Sequence, residues 1–178
     1  MPKVTQAHLD ARRQQIIDAA RARFASHGFA RTSMPDLVEA SGLSTGAIYR
    51  YFKSKDQIVA AICEQTSDTL PGELTAASVL DFLKDVRTAA REHDHARLVA
   101  QIYAEAAVSP ALAAVVRQQL DDLRAAVATL LPGRSAEDAA RIAEAFVALC
   151  NGYANQLAVR GDVDPGPFAA ALTAVIES

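Results

Sequence analysis

The chain has few of the residues on which small secreted or β-rich proteins depend. It contains no tryptophan, its aromatic residues amount to 6%, and its two cysteines, Cys63 and Cys150, both lie in apolar stretches. Two isolated thiols cannot build a disulfide framework, so we expect both cysteines to be buried as small hydrophobic residues. Segments of alternating polar and apolar residues are also missing, which argues against β-strands.

Hydrophobic segments long enough for a membrane are missing as well. The most apolar late stretch is interrupted by Arg141 and Glu144, which excludes a spanning helix there. Polar sequence follows Met1–Lys3, without the apolar run of a signal peptide. We therefore expect a cytoplasmic protein with no membrane partner.

Motifs of the common enzyme classes are absent too. The sequence has no GxSxG, no P-loop, no GxGxxG and no HExxH, the patterns of hydrolases, nucleotide-binding proteins and zinc proteases. His93 and His95 flank Asp94 and could chelate a metal ion, but solvated turn residues are the more common role of such a pair. We predict no catalytic residues, no metal and no cofactor, and an enzyme remains the weaker alternative.

Helix-forming residues are what the chain has in quantity. Apolar residues make up 51% of it, and alanine, leucine and arginine are abundant. These residues have high helix propensity, so the composition predicts an all-α protein. A length of 178 residues is close to the prior of about 150 residues per domain, and one compact unit or two small ones are expected.

The small net charge of −3 hides a split along the chain. Residues 1–55 carry nine basic and four acidic side chains, whereas residues 56–178 carry nine basic and seventeen acidic ones. A basic N-terminal third on an acidic body is typical of a DNA-binding domain joined to a solvated regulatory domain. Ordinary surface charge explains the split less well, because the basic excess coincides with the motif described next.

Residues 32–55, TSMPDLVEASGLSTGAIYRYFKSK, have the pattern of two short helices joined by a tight turn. Ser33 is a natural N-cap, and Asp36 would be its partner in a capping box. Pro35 is tolerated because it falls in the first helical turn, where a backbone N–H is not needed. Gly42 ends this helix at a position where a positive φ is expected.

The second short helix is predicted over Thr45–Phe52, with Ser44 as its N-cap. Ile48 lies on its inner face, and Leu43 can join it there. Small residues near the N-terminus and an arginine further along suit insertion into a DNA major groove. A surface helical hairpin whose tyrosines merely pack is the alternative, and the local pattern leaves both open. The residues of the outer face are Gly46, Ala47, Tyr49 and Arg50.

The segment TSMPDLVEASGLSTGAIYRYFKSKDQI closely resembles the N-terminal DNA-binding segment of the TetR family of bacterial transcription repressors. The resemblance covers roughly the first third of the chain. Pro35 departs from the family, because many relatives carry a polar or basic side chain there, so no DNA contact is expected from this position. The residues that carry the resemblance are Thr32–Ser33, Gly42–Ser44, Gly46, Tyr49, Tyr51–Lys55 and, upstream, Ile16, Ala19, Ala20, Phe24, Gly28 and Phe29.

The resemblance implies a homodimeric regulator, acting as a repressor, that binds a palindromic double-stranded DNA operator and is released by a small, mostly apolar ligand. Thr45 and Arg50 are the candidates for contacts with base edges, Ala47 is the candidate for a thymine methyl group, and Gly46 permits close approach. A helical interaction module, or a ligand-binding protein without DNA activity, is the alternative. The other candidates for DNA contact, mainly with phosphates, are Thr32, Ser33, Ser44, Tyr49, Tyr51 and Lys55.

Outside this segment the pattern predicts an N-terminal arm to about residue 9 and a helix over about Asp10–His27. Ser54, with Gln57 closing a capping box, opens a connecting helix over residues 56–70. The predicted architecture of about nine helices is a three-helix helix-turn-helix domain over residues 1–55, this connector, and a ligand-binding and dimerisation domain over residues 71–178. Five helices are predicted within residues 71–178. The first runs from near Thr75 or Ser78 to Glu92, the second carries Leu98–Ala106, and the third runs from Pro110 to before Pro132. The fourth runs from Ser135 to about Val159, and the fifth follows Asp164–Pro165.

Polar residues interrupt the apolar helices of the second domain. Asn151 and Asn155 lie four residues apart in one helix, and Tyr103 interrupts another. Hydrogen bonds in the core or contacts between subunits would explain each of them, and the functional interpretation is a cavity where a few polar groups orient a mostly apolar ligand. The candidate ligand-binding residues are Cys63, Phe82, Val86, Tyr103, Leu120, Val147, Asn151 and Asn155.

The last two helices carry a larger apolar stripe than we expect one small domain to bury internally. By resemblance, these helices are predicted to pair with their copies as a four-helix bundle about a two-fold axis. The residues predicted at this interface are Phe146, Cys150, Ala154, Leu157, Phe168, Leu172, Val175 and Ile176.

Overall fold

The computed structural model describes residues 5–67 and 70–178, and over these ranges the fold is all-α, as predicted. Nine helices and no strands are formed by the described residues, in agreement with the predicted number. The helices are α1 (Gln6–His27), α2 (Met34–Ser41), α3 (Thr45–Tyr51), α4 (Lys55–Ser67), α5 (Ala76–His93), α6 (His95–Ala106), α7 (Pro110–Thr129), α8 (Ala136–Arg160) and α9 (Gly166–Glu177).

The first helix begins four residues earlier than predicted. Thr5 is its N-cap, with an extended backbone and a hydroxyl oxygen that accepts from the backbone N–H of His8. Gln6 donates to the Asp10 carboxylate at 2.8 Å, one turn along the helix. The predicted arm is therefore wrong for residues 6–9, because the cap lies upstream of the apolar periodicity that marked the helix. Residues 1–4 lie outside the described part of the chain.

The turn between α2 and α3 follows the predicted capping pattern. Ser33 and Asp36 form the capping box, and Gly42 adopts the left-handed conformation with φ of 66°. The Ser44 hydroxyl accepts from the N–H of Ala47 at 3.3 Å. Helix α3 ends at Tyr51, one residue before the predicted end, since Phe52 has an extended backbone and serves as the C-cap.

The start of α4 differs from the predicted box in one bond. The N–H of Gln57 donates to the Ser54 hydroxyl, as expected, but the side-chain oxygen Oε1 of Gln57 accepts from the backbone N–H of Lys53 at 2.7 Å instead of from Ser54. At the other end, α4 stops at Ser67, and Leu70 lies outside a helix. Residues 68 and 69, over which the connector was predicted to continue, lie outside the described residues.

Two main hydrophobic clusters organise the fold. The first joins α1–α4 to α6 and α7, because Leu98, Ile102, Leu112 and Val116 are buried together with the core of the helix-turn-helix. The second holds α5, α7, α8 and α9 around Phe146 and other buried residues. The helix-turn-helix therefore does not have a core of its own, and the domain boundary predicted between residues 70 and 71 stays a prediction.

Half of the apolar stripe of α8 and α9 is buried within the single chain, so the predicted subunit interface is wrong for Phe146, Ala154, Leu157 and Leu172 and stays a prediction for the four partly buried residues. Leu172 is 0% exposed in the single chain, and Phe146, Ala154 and Leu157 are also buried. Cys150, Phe168 and Ile176 pack partly buried against the second cluster, and Val175 packs against a smaller one. Helix α5 makes contact with both α8 and α9, so its apolar face covers the stripe that was expected to need a partner.

Among the helices of the described residues, none combines the length and the hydropathy that crossing a membrane requires.

Candidate DNA-binding surface and ligand cavity

Helix α3 is held by its inner face and leaves its outer face open. Ile48 is buried, Phe52 follows it into the core, and Leu37 of α2 lies in the same cluster. The predicted contact residues on the other side are accessible: Ser44, Thr45, Gly46 and Arg50 are exposed, and Ala47, Tyr49 and Tyr51 are half-buried. The predicted base-contacting residues Thr45 and Arg50 are thus exposed in the structure, and Ala47 is partly exposed.

Gly46 is not required by the packing of the protein. A Cβ atom added at this position would have no heavy atom within 4 Å, so side chains could be accommodated in the free protein. The residue also lies in the first turn of a seven-residue helix, where glycine has poor helix propensity. Gly46 thus lowers the stability of α3 and is not needed for packing inside the protein. Both properties are expected if another molecule approaches the backbone of α3 closely at this position.

Thr32 and Ser33 have their hydrogen-bonding groups engaged within the chain. Thr32 is only 1% exposed, and its hydroxyl donates to the Gly28 carbonyl at 2.8 Å. The backbone N–H and the hydroxyl of Ser33 both donate to Asp36 at 2.7 Å. These hydrogen bonds lower the pKa of Asp36, with a smaller contribution from the charge of Arg23. Thr32 is therefore placed inside, where its hydroxyl does not reach the surface.

Lys55 also has partners inside the chain. Its Nζ donates to the Phe29 carbonyl at 2.8 Å and lies 4.2 Å from the centre of the Phe29 ring. Burial lowers the pKa of Lys55, against the charge of Glu105. Lys55, the first residue of α4, thus connects this helix to Phe29 in the segment that follows α1.

Lys53 is a basic residue that the sequence analysis did not select. It is exposed directly after α3, and its amino group donates to the Tyr49 carbonyl in the last turn of that helix. A cation at the C-terminal end of the candidate recognition helix is well placed for a phosphate. The Lys53–Ser54–Lys55 run pointed to both lysines, but spacing alone did not show which of them faces outward.

A cavity of about 550 Å³ lies between α1 and α4–α8. Its volume is in the range of sites for small organic molecules, and most of its lining is apolar. Two candidates lie elsewhere: Leu120 packs between the two main hydrophobic clusters, and Asn155 is exposed on the outer side of α8. The predicted ligand residues that line the cavity are Cys63, Phe82, Val86, Tyr103, Val147 and Asn151.

The polar groups of the cavity include a phenol and an amide in contact. Burial raises the pKa of Tyr103, and a hydrogen bond with the side chain of Asn151 opposes that rise. Burial also raises the thiol pKa of Cys63 to about 11 and that of Cys150 to about 12. Both cysteines are therefore protonated near neutral pH and behave as apolar lining rather than as nucleophiles.

Five polar residues of the cavity were missed by the sequence analysis, most notably an arginine from the N-terminal helix. Arg21 of α1 lines the cavity together with residues of α5, α6 and α8. Helix α1 was assigned to the helix-turn-helix, so nothing in the sequence linked it to the second domain. The other missed polar residues are Gln65, Asp85, His95 and Gln119.

Comparison with protein families covers most of the chain. A family described as bacterial regulatory proteins, tetR family, matches residues 16–62, which include α2 and α3. A second, described as the tetracyclin repressor-like C-terminal domain, matches residues 71–178. The segment between the two matches contains the end of α4, close to the predicted domain boundary.

Similar curated proteins are transcriptional regulators, matched over part of their length. An HTH-type transcriptional repressor of Mycobacterium tuberculosis is 33% identical over 94 residues, which are 53% of this chain and 50% of that protein. An uncharacterized HTH-type transcriptional regulator of Bacillus subtilis, YfiR, is 43% identical over 67 residues, which are 38% of this chain and 33% of that protein. The chain thus spans half or less of the length of these relatives.

Solved structures share the whole fold at low identity. Salmonella enterica GusR superposes with a TM-score of 0.73 at 24% identity, covering 98% of this chain and 97% of that one. A putative TetR-family regulator of Syntrophomonas wolfei gives 0.73 at 16% identity, covering 94% of each chain. With family matches over both parts of the chain and the same fold in these structures, the chain belongs to the TetR family of bacterial regulatory proteins.

Proposed function

We propose that the chain is a transcriptional repressor that binds a palindromic operator as a homodimer and is released by a small, mostly apolar ligand. The observation that carries the proposal is the outer face of α3, where small residues and Arg50 are exposed while Ile48 fixes the helix in the core. This face lies in the basic third of the chain. Two of the curated relatives are named transcriptional repressors, which supports repression rather than activation.

The residues of α3 divide into two roles in this proposal. Thr45 and Arg50 contact base edges, and Ala47 contacts a thymine methyl group. Thr32 and Lys55, which have partners inside the chain, act by positioning the helix-turn-helix, and Lys53 takes the place of Lys55 as a phosphate contact. Ser33, whose backbone N–H and hydroxyl both donate to Asp36, shares this positioning role. The residues proposed to hold phosphates are Ser44, Tyr49, Tyr51 and Lys53.

Arg50→Ala should weaken binding to the true operator by about 1–3 kcal/mol and relax sequence preference at one position in each half-site, because the variant cannot bond to a base edge. Lys53→Ala should weaken binding to all sequences alike and lower the salt slope by about one unit for each phosphate that it no longer neutralises. Operator selection from a random DNA library, followed by binding of both variants across a salt series, measures the two effects.

Each variant is the control for the other, because one removes a cation from the last turn of α3 and the other removes a cation directly after that helix. Should Arg50→Ala reduce the salt slope without relaxing specificity, Arg50 is a phosphate contact and the base readout falls to Thr45 and its neighbours. Failure to select any DNA sequence would reject the repressor function itself and favour a ligand-binding protein without DNA activity.

The dimer interface is proposed on the outer sides of α8 and α9, opposite the buried stripe. Ala148, Gly152, Asn155 and Val159 recur every three or four residues on α8 and are all exposed, with Val159 at 86%. Residues at this spacing share one face of a helix, and small side chains let two helices approach closely. On α9 the exposed residues are Pro167, Ala170, Ala171, Ala174 and Glu177.

Ala148→Glu is expected to give a folded monomer, because a two-fold axis would bring two like charges together at a close helix contact. Ala125→Glu on α7 is the matched control, since Ala125 is also an exposed helical alanine but lies outside the proposed interface. Sedimentation velocity distinguishes them: the control should remain dimeric. A dimeric Ala148→Glu variant would place the interface elsewhere.

Ligand response requires a cavity connected to the DNA-binding surface. The first hydrophobic cluster connects them, since it joins the helix-turn-helix to α6 and α7, and the cavity is bounded by the same helices. A ligand can release DNA only if it binds the DNA-incompetent state more tightly, because equal affinity for both states shifts nothing. In the proposed mechanism the ligand moves α4 and α6, and the two α3 helices of the dimer no longer fit successive major grooves, roughly 34–36 Å apart.

A further inference from the structure

The cavity is apolar over most of its surface but is not uncharged. Acidic or basic side chains enter its lining from three helices: Arg21 from α1, Asp85 from α5 and His95 from α6. Asp85 is exposed to solvent, and His95 already takes part in an interaction with another group of the protein. Arg21 is half-buried, and among the residues that line the cavity it is the one with a buried side-chain polar atom that lacks a hydrogen-bond partner within the described residues.

Arg21 is held by neutral acceptors only. Its Nη2 donates to Gln65 Oε1 at 3.0 Å and, at 3.5 Å, to the backbone carbonyl of Ile62. Its Nε is fully enclosed and finds no hydrogen-bond partner among the described residues, which is also true of Nε in Arg23 and Arg124, but those two arginines do not line the cavity. Burial lowers the pKa of Arg21, and the more distant charge of Asp18 opposes this only in part.

Another arginine of the chain shows what is missing at Arg21. Arg87 forms two parallel hydrogen bonds with Asp162, at 2.5 and 2.7 Å. No salt bridge of this kind connects Arg21 to a carboxylate within residues 5–67 and 70–178. A guanidinium stays charged in proteins and has five donors arranged to match a carboxylate, so half-burying one beside an apolar cavity is costly without an anion.

We propose that the ligand is an apolar carboxylic acid whose carboxylate binds the terminal Nη nitrogens of Arg21 while its hydrocarbon part occupies the apolar cavity. The inference rests on the proposed ligand-responsive function and names the class of ligand for that site. A single negative charge is matched by the single guanidinium, whereas a phosphate dianion would leave a charge uncompensated in apolar surroundings. The apolar residues that would contact the hydrocarbon part include Phe82, Val86, Leu98, Leu123 and Val147.

Arg21 gives such a ligand a direct connection to the DNA-binding part. The arginine belongs to α1, and both of its present acceptors belong to α4. A carboxylate that takes over donors of Arg21 would change the contact between α1 and α4 at the same time as it fills the space between α5, α6 and α8. The acid would therefore bind across the two parts of the chain.

The test uses isothermal titration of the full chain with straight-chain fatty acids of six to twelve carbons and with the primary alcohols of the same lengths. In the wild type, the acids should bind at least tenfold more tightly than the matched alcohols. Arg21→Gln should lose about tenfold to hundredfold in acid affinity, the range for a hydrogen bond to a charged group, and leave alcohol affinity unchanged. Arg12→Gln, on the same helix but outside the cavity lining, should behave as the wild type.

N-phenyl-1-naphthylamine, a neutral apolar fluorophore, reports whether the cavity is intact, and it should bind all three proteins equally. Equal affinity of wild type for acids and alcohols, no binding of any acid, or a preference for acids that survives Arg21→Gln would overturn the proposal. Operator binding by the same preparations without ligand is scored separately. A protein that prefers acids but selects no DNA would reject the repressor function while keeping the acid site, and the reverse result would reject only the acid site.

Discussion

Gly46→Glu is expected to abolish operator binding while leaving the protein folded. A Cβ at this position meets nothing within 4 Å, so the side chain fits the free protein. Glutamate in place of glycine should favour the short α3 helix by about 0.5–1 kcal/mol through propensity, and an acidic side chain in the first turn is favoured by the helix dipole. In the major groove the same carboxylate would face phosphates and base edges, and like charges at an interface cost several kcal/mol. Operator affinity should fall at least a hundredfold.

Gly46→Gln is the matched control for this variant, since it adds nearly the same volume without the charge. We expect it to bind the operator with intermediate affinity, because close approach is hindered but repulsion is absent. Thermal unfolding of both variants, followed by circular dichroism, should give midpoints equal to or above that of the wild type. If Gly46→Glu binds the operator as the wild type does, the N-terminal half of α3 does not enter the groove.

Leu172→Glu is expected to unfold the second domain, with a loss of about 3–5 kcal/mol in the free energy of unfolding. Leu172 is 0% exposed in the single chain, so the variant would bury a carboxylate without a partner in the second hydrophobic cluster. A loss of this size is a large fraction of the stability of a typical domain. Urea unfolding measured by circular dichroism gives the change directly.

Ala171→Glu is the comparison that separates stability from assembly. Ala171 precedes Leu172 on α9 but is exposed, on the side proposed for the dimer interface. The Ala171→Glu protein should be monomeric, and the midpoint of its urea unfolding should equal that of the wild type. A stable, monomeric Leu172→Glu protein would mean that the stripe is not needed inside the chain and would restore it to the subunit interface.

The local features of the fold could be predicted because each depends on a few neighbouring residues. The Ser33–Asp36 capping box, the left-handed Gly42 and the Ser44 cap all follow from side chains within four residues of the backbone groups that they satisfy. The start of α1 was missed for the complementary reason. Thr5 caps a turn that has no apolar stripe, so periodicity gave no sign of it.

The features that could not be predicted depend on contacts between distant parts of the chain. Periodicity showed that Leu172 lies on an apolar face, but it did not show whether α5 or a second subunit covers that face. The basic character of Lys55 likewise suggested a contact with phosphate. Its hydrogen bond to the Phe29 carbonyl could not be foreseen, because the two residues are 26 positions apart in the sequence. Arg21 entered the cavity lining only through the packing of α1 against α4 and α6.

The first hydrophobic cluster has a consequence for exchanging parts between members of this family. Family matches divide the chain near residue 70, which suggests that a DNA-binding head could be transplanted onto another body at that point. The buried interior does not divide there, because Leu98, Ile102, Leu112 and Val116 complete the core of the head from α6 and α7. A chimeric regulator would have to carry these four side chains along with the head, or supply others of the same shape.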